Sequence, residues 1–78
     1  MKRQIAKQTE AELLARYPRK GKTPGWYFRV REVSSGAYEV EGSDQWGRKV
    51  NRTGVDPEAL LAECEVDAEE INRETANT

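Results

Sequence analysis

The chain predicts an α+β fold, a three-stranded antiparallel β-meander covered by a C-terminal α-helix, with a short N-terminal helix, in two layers. Three observations predict it. A Thr9-Glu10-Ala11-Glu12 capping box opens an apolar stripe, three alternating aromatic and β-branched runs follow with short turns between them, and Asp56-Pro57-Glu58 opens a second amphipathic stretch. At 78 residues the expectation is a single small domain over 1–78, with 1–8 and 73–78 flexible.

In the first helix the Thr9 hydroxyl accepts from the amide three residues on, while Glu12 reaches back to the Thr9 amide. Leu13, Leu14 and Tyr17 supply its apolar stripe, and Pro18 ends it. Residues 18–25, with two prolines, two glycines and three positive charges, read as a loop.

The first strand runs from Trp26 to Val33, with Trp26, Phe28 and Val30 on one face and Tyr27, Arg29 and Arg31 on the other. After Ser34-Ser35-Gly36, Ala37 to Glu41 forms the second strand. Gly42 to Gln45 is the next turn, and Trp46 to Asn51 the third strand, with Gly47 as a candidate bulge. Short connections make the pairing antiparallel.

Asp56 caps the second helix, Pro57 takes its first position, and Glu58 meets the positive end of the helix dipole. Leu60, Leu61, Cys64, Ala68 and Ile71 share an arc of roughly 100°, which predicts one face laid on the apolar side of the sheet. This helix is expected to fade near Asn72.

Composition narrows the chemistry. Charged residues make up 35% and hydrophobic ones 36%, which suits a surface-rich globular domain. No apolar run approaches the roughly 20 residues of a membrane span, and no secretory signal is visible, so no membrane partner is expected. Without histidine, His-dependent nucleophilic and zinc sites are excluded, and no Gly-rich phosphate loop precedes a helix. No catalytic residue, metal or cofactor is predicted, and the chain reads as a non-enzyme. Cys64, the only cysteine, lies on the apolar stripe and reads as a small buried hydrophobe in a cytoplasmic protein. Glu63, Asp67 and Glu70 follow one side of the second helix and read as a solvated acidic face rather than a cation site.

Net charge is −1, but residues 1–55 hold 12 basic and 6 acidic side chains, whereas 56–78 hold 1 and 8. The two parts are expected to attract one another on folding, with any remaining charged face open to a partner. Two candidate surfaces follow. On the second helix Val66, flanked by Ala59 and Ala62 and ringed by Glu58, Glu63, Glu69 and Glu70, is an apolar spot within acids that suits a basic protein surface. Trp46, at a turn beside Arg48, is either an interface anchor or a core residue.

The alternative is nucleic acid. Arg16, Arg19, Lys20, Lys22, Arg29 and Arg31 interleave with Tyr17, Trp26, Tyr27 and Phe28, and Arg48, Lys49 and Arg52 add a second basic cluster. From Gly25 to Ala68 the element order and the Trp46-Gly47-Arg48 segment resemble three-stranded-sheet DNA binders, such as those of plants and the amino-terminal domains of some phage-type integrases. The resemblance implies an exposed sheet face entering the major groove, backed by a helix. Against that, Glu39 and Glu41 would stand between Tyr27, Arg29 and Arg31 on one strand and Lys49 and Asn51 on the other. Cross-strand ion pairs account for such alternation without a ligand.

A protein partner is therefore preferred. Size and composition suit a small accessory protein of bacterial type, such as an immunity protein, a phage-encoded inhibitor or a regulator from a mobile element. Neither partner identity nor oligomeric state is encoded in any motif.

Overall fold

The computed structural model describes residues 8–76, so the expectation for residues 1–7 and 77–78 lies outside the described residues. The order is α1 (Glu10–Arg16), β1 (Arg19–Lys20), β2 (Trp26–Ser34), β3 (Ala37–Asp44), β4 (Lys49–Gly54) and α2 (Pro57–Ala76). The sheet is an antiparallel meander in the order β1-β2-β3-β4. The α+β class and the helix–meander–helix order are as expected, but the sheet has four strands, not three.

The additional strand lies in the segment read as a loop. Pro24 and Gly25 occupy the centre of a turn closed by the Trp26 amide donating to the Thr23 carbonyl at 3.2 Å. Gly25 has φ +82°, the left-handed value that the third position of a type II turn requires. That turn folds residues 18–21 back on β2, with Arg19 opposite Phe28 and Lys20 opposite Tyr27. The boundary between the last two strands also shifts. Asp44 and Arg48 flank a three-residue loop, Gln45-Trp46-Gly47, in which Gly47 has φ +89°. Trp46 therefore sits in a turn rather than starting a strand. The irregularity in the ladder lies instead between Glu32 and Ser34.

Alternation along the meander separates two faces. On one, Trp26, Phe28 and Val40 pack against Leu60, Cys64 and Ala68 of α2, with Val30, Tyr38, Val50, Leu61 and Ile71 at the margins. The Trp26 and Phe28 rings lie stacked, centroids 6.5 Å apart. The Trp26 indole N–H donates to Asn72 Oδ1 at 3.0 Å, so the largest core side chain has its one polar atom satisfied. Asp56 accepts from the Glu58 amide at 3.1 Å, starting α2 at Pro57 as expected. The far end does not fade at Asn72. Arg73 to Ala76 continue the helix, and Arg48 Nη1 donates to the Thr75 hydroxyl.

The other sheet face corrects the two-layer expectation. α1 covers one end of it, burying Leu13 and Tyr17 against Tyr27. The two halves of the capping box form as expected, at 2.9 and 3.2 Å. Just before the box, Gln8 donates from its amide to the Gln45 carbonyl at 2.8 Å, which ties down the last residue of the segment read as flexible. α1 is placed by Tyr27, whose ring offers apolar area on an otherwise charged face. The result is a third layer over part of the sheet.

Burial pushes the Cys64 thiol up to about 11 from an ordinary value of 9.0, and the Asp67 charge adds to the shift. The folded thiol thus keeps its proton to higher pH than the unfolded one. Its stabilising contribution is complete below pH 9 and is lost as pH rises toward 11. Urea midpoints measured across that window should fall more steeply for the wild type than for Cys64→Ala. Equal slopes would show that the thiol does not carry the effect.

Candidate protein-docking surface

The charges sort into those consumed within the fold and those left outside it. Across β2 and β3, Arg29 stands opposite Glu41 and Arg31 opposite Glu39. Both pairs close, at 2.6 and 2.8 Å, and Asn51 from β4 approaches Glu39 at 3.5 Å. The Arg29 guanidinium also lies 5.1 Å from the Tyr17 ring centre, fixing it between β3 and α1. The charges of β2 and β3 on this face are thus matched across the two strands.

Of the residues in the nucleic-acid candidate set, Tyr27 is 7% exposed beneath α1. Burial raises its phenol above the ordinary value, and the neighbouring Glu10 carboxylate reinforces the shift. Lys20 pairs with Glu10 at 3.4 Å, Arg29 and Arg31 pair as above, and Arg48 pairs with Asp44 at 2.5 Å. Arg19, Lys22 and Lys49 are exposed, and their side chains make no ion pair among the described residues. They are not gathered on one strand: Arg19 lies on β1, Lys22 in the hairpin turn and Lys49 on β4.

The basic meander and the acidic helix are joined at two places. Arg52, on the α2 side of β4, donates through Nε and Nη2 to the two Asp67 oxygens at 2.9 and 3.0 Å, and reaches Glu63 at 3.6 Å. The Asp67 hydrogen bond raises the Arg52 pKa, holding the guanidinium charged. On the opposite flank of α2, Glu65 accepts from the Lys22 amide at 2.9 Å, the Thr23 amide at 3.0 Å and the Thr23 hydroxyl at 2.8 Å. The carboxylate thereby pins the β1–β2 hairpin to the helix. The charge division between the two halves of the chain is in part self-complementary.

Sequence reasoning missed both Glu65 and Asp44 as structural ties. Asp44 is 2% exposed, and its Oδ1 accepts the Trp46 and Arg48 amides at 2.9 and 2.8 Å. An aspartate opening a glycine-closed loop was the available signal, since such side chains bond the backbone ahead of them. Glu65 carried none, because its partner lies 42 residues away.

What remains exposed is the outer side of α2. Ala59, Ala62, Glu58, Glu63, Glu69 and Glu70 are exposed there, and Val66 is 55% exposed at the centre. Glu58, Glu69 and Glu70 make no ion pair among the described residues, whereas Glu63 is partly engaged by Arg52. Trp46, 46% exposed, lies in the β3–β4 loop at the end of the sheet, apart from this helix face. Among the described residues no group of three or more potential ligands is arranged to hold a metal ion, and no helix is long and apolar enough to cross a membrane. The chain matches no protein-family model, and no curated protein or solved structure is significantly similar to it.

Proposed function

We propose that this chain is a non-catalytic binding module, an accessory, inhibitory or regulatory protein of the cytoplasm, that engages a basic protein surface through the outer face of α2. The observation that carries the reading is Val66, 55% exposed amid Ala59 and Ala62 and bordered by Glu58, Glu69 and Glu70, none of which is used in an ion pair among the described residues. A small apolar centre gives a contact that water leaves on docking, while the surrounding carboxylates accelerate encounter with a positive surface and reject a negative one. Trp46 in the β3–β4 loop offers a second, aromatic contact.

The test is recovery of the partner by wild type and Val66→Arg, with Val33→Arg as control at another exposed valine. Val66→Arg is expected to lower recovery by at least about tenfold, the equivalent of ~1.4 kcal/mol, with an unchanged melting temperature. Equal recovery by all three proteins would remove the α2 face from the proposal. The nucleic-acid alternative draws on Arg19, Lys22 and Lys49, which are free of ion pairs among the described residues. It requires a salt-dependent gel shift with mixed DNA and RNA, and absence of a shift at low salt would eliminate it.

A further inference from the structure

The two edges of the sheet are not equivalent. β1 is two residues long and preceded by Pro18, which has no N–H to offer, so that edge is blunted. β4 is six residues long, contains no proline and pairs with β3 without a register break. The Asp44 amide donates to the Arg48 carbonyl at 3.0 Å, which sets the parity of the β3–β4 ladder. Val50, Arg52 and Gly54, opposite Gly42, Val40 and Tyr38, direct their backbone groups toward β3. Lys49, Asn51 and Thr53 direct theirs outward, and no backbone group of the described residues meets them.

Above this edge runs a row of carboxylates. Glu63, Asp67, Glu70 and Glu74, spaced four, three and four apart, share one side of α2. The contacts of Arg52 with Glu63 and Asp67 fix that side toward β4. From Glu63 to Glu74 the row spans ~16 Å of helix, about the length of β4 itself. Arg52 offsets one of the four charges, and Glu70 and Glu74 make no ion pair among the described residues.

We infer that the β4 edge receives an extended basic segment of a partner protein as a fifth strand, with its alternate Lys or Arg side chains turned toward the acidic row. The open backbone edge supplies the docking geometry, and the row selects the charge of the occupant. A second copy of this chain fits poorly, because two-fold pairing of β4 with itself would bring two acidic rows together. The inference rests on the protein-binding reading above but uses the β4 edge and the β4-facing side of α2, which shares only Glu63 and Glu70 with the Val66 face.

The probe is a blocked seven-residue peptide of alternating Thr and Lys, with its Thr/Glu counterpart as control, titrated at low salt into isotope-labelled protein. The Lys peptide is expected to bind and to protect the Lys49, Asn51 and Thr53 amides from exchange, leaving Val50 and Arg52 as they were. Asn51→Pro removes an outward N–H and no ladder bond, and should weaken binding at least about tenfold. Glu74→Lys, in the row but outside the border of the Val66 face, should also weaken binding without touching β4. No binding, equal binding of the Glu peptide, or undiminished binding by both variants would overturn the inference. Loss through Val66→Arg but not through Asn51→Pro would overturn it while leaving the outer-face reading intact. A wild-type dimer that Asn51→Pro dissociates would assign the edge to a second copy and overturn the choice of occupant.

Discussion

Gly42→Ala should destabilise the protein by about 2–3 kcal/mol and lower its melting temperature by roughly 10–20 °C, the usual scale for overpacking in a domain of this size. Phe28 is fully buried, and its ring lies over Gly42 on one side and Gly21 on the other. A methyl group at Gly42 would overlap the near ring carbons and also approach Val50 Cγ2 to 3.1 Å. The ring has no room to yield, because its far edge already covers Gly21, whose own added methyl would overlap it and stand 3.0 Å from the Trp26 carbonyl. The two glycines thus form a slot that lets one aromatic ring lie flat across three strands. The control is Gly36→Ala, where the added carbon meets nothing within 4 Å and only the left-handed φ of +74° is strained. That change should cost about 1–2 kcal/mol. Combining Gly42→Ala with Phe28→Leu should recover part of the loss, since the two sites are coupled. Urea denaturation of the wild type, the Gly42→Ala, Phe28→Leu and Gly36→Ala variants and the double variant measures all of this. Additive losses in the double variant would show that the clash lies elsewhere.

Asp44→Ala should cost about 3 kcal/mol, because it strips a nearly buried carboxylate from three donors at once. Its Oδ1 holds the Trp46 and Arg48 amides, and its Oδ2 meets the Arg48 guanidinium at 2.5 Å. Without it, the loop joining β3 to β4 loses its internal acceptor and Arg48 loses its counter-charge, while Arg48 also anchors the end of α2 through Thr75. Asp44→Asn keeps an oxygen for one or both amides but not the charge, and should lose about half as much. Identical losses for the two variants would mean that the ion pair, rather than the loop, dominates.

These two sites also mark the limit of what the chain discloses before folding. The helix starts were legible because their causes are local: the Thr9–Glu12 box and the Asp56-Pro57 start act within four residues. The core stripe was legible because Leu60, Cys64 and Ala68 recur at helical spacing, and the cross-strand pairs because Arg29, Arg31, Glu39 and Glu41 alternate on facing strands. β1 was not, because two residues carry no periodicity and Pro24-Gly25 reads equally as loop or hairpin. α1 could not be placed, since its position depends on Tyr27 meeting Leu13 and Tyr17 across the tertiary fold. α2 outruns its apolar stripe because helix-compatible residues and the Arg48–Thr75 contact carry it on to Ala76.

For the candidate surface the outcome was similar. The apolar spot at Val66 within acids follows from helical spacing alone. The open groups of Lys49, Asn51 and Thr53 do not, because a strand pattern says nothing about which backbone groups face the neighbour until the register with β3 is known. The nucleic-acid candidates looked collective in the chain, but in the fold five of the eight are engaged by other groups of the protein. Arg29 and Arg31 go to β3, Arg48 to Asp44, Lys20 to Glu10, and Tyr27 beneath α1.

The central claim, that the outer face of α2 is where a partner sits, is tested most directly by a photo-crosslinking residue placed at Ala62, with the same residue at Val33 for comparison. Both positions are exposed and on different elements. The account predicts a protein adduct from position 62, suppressed by high salt, and none from position 33. An adduct from position 33 alone, or a nucleic-acid adduct from either position, would contradict it.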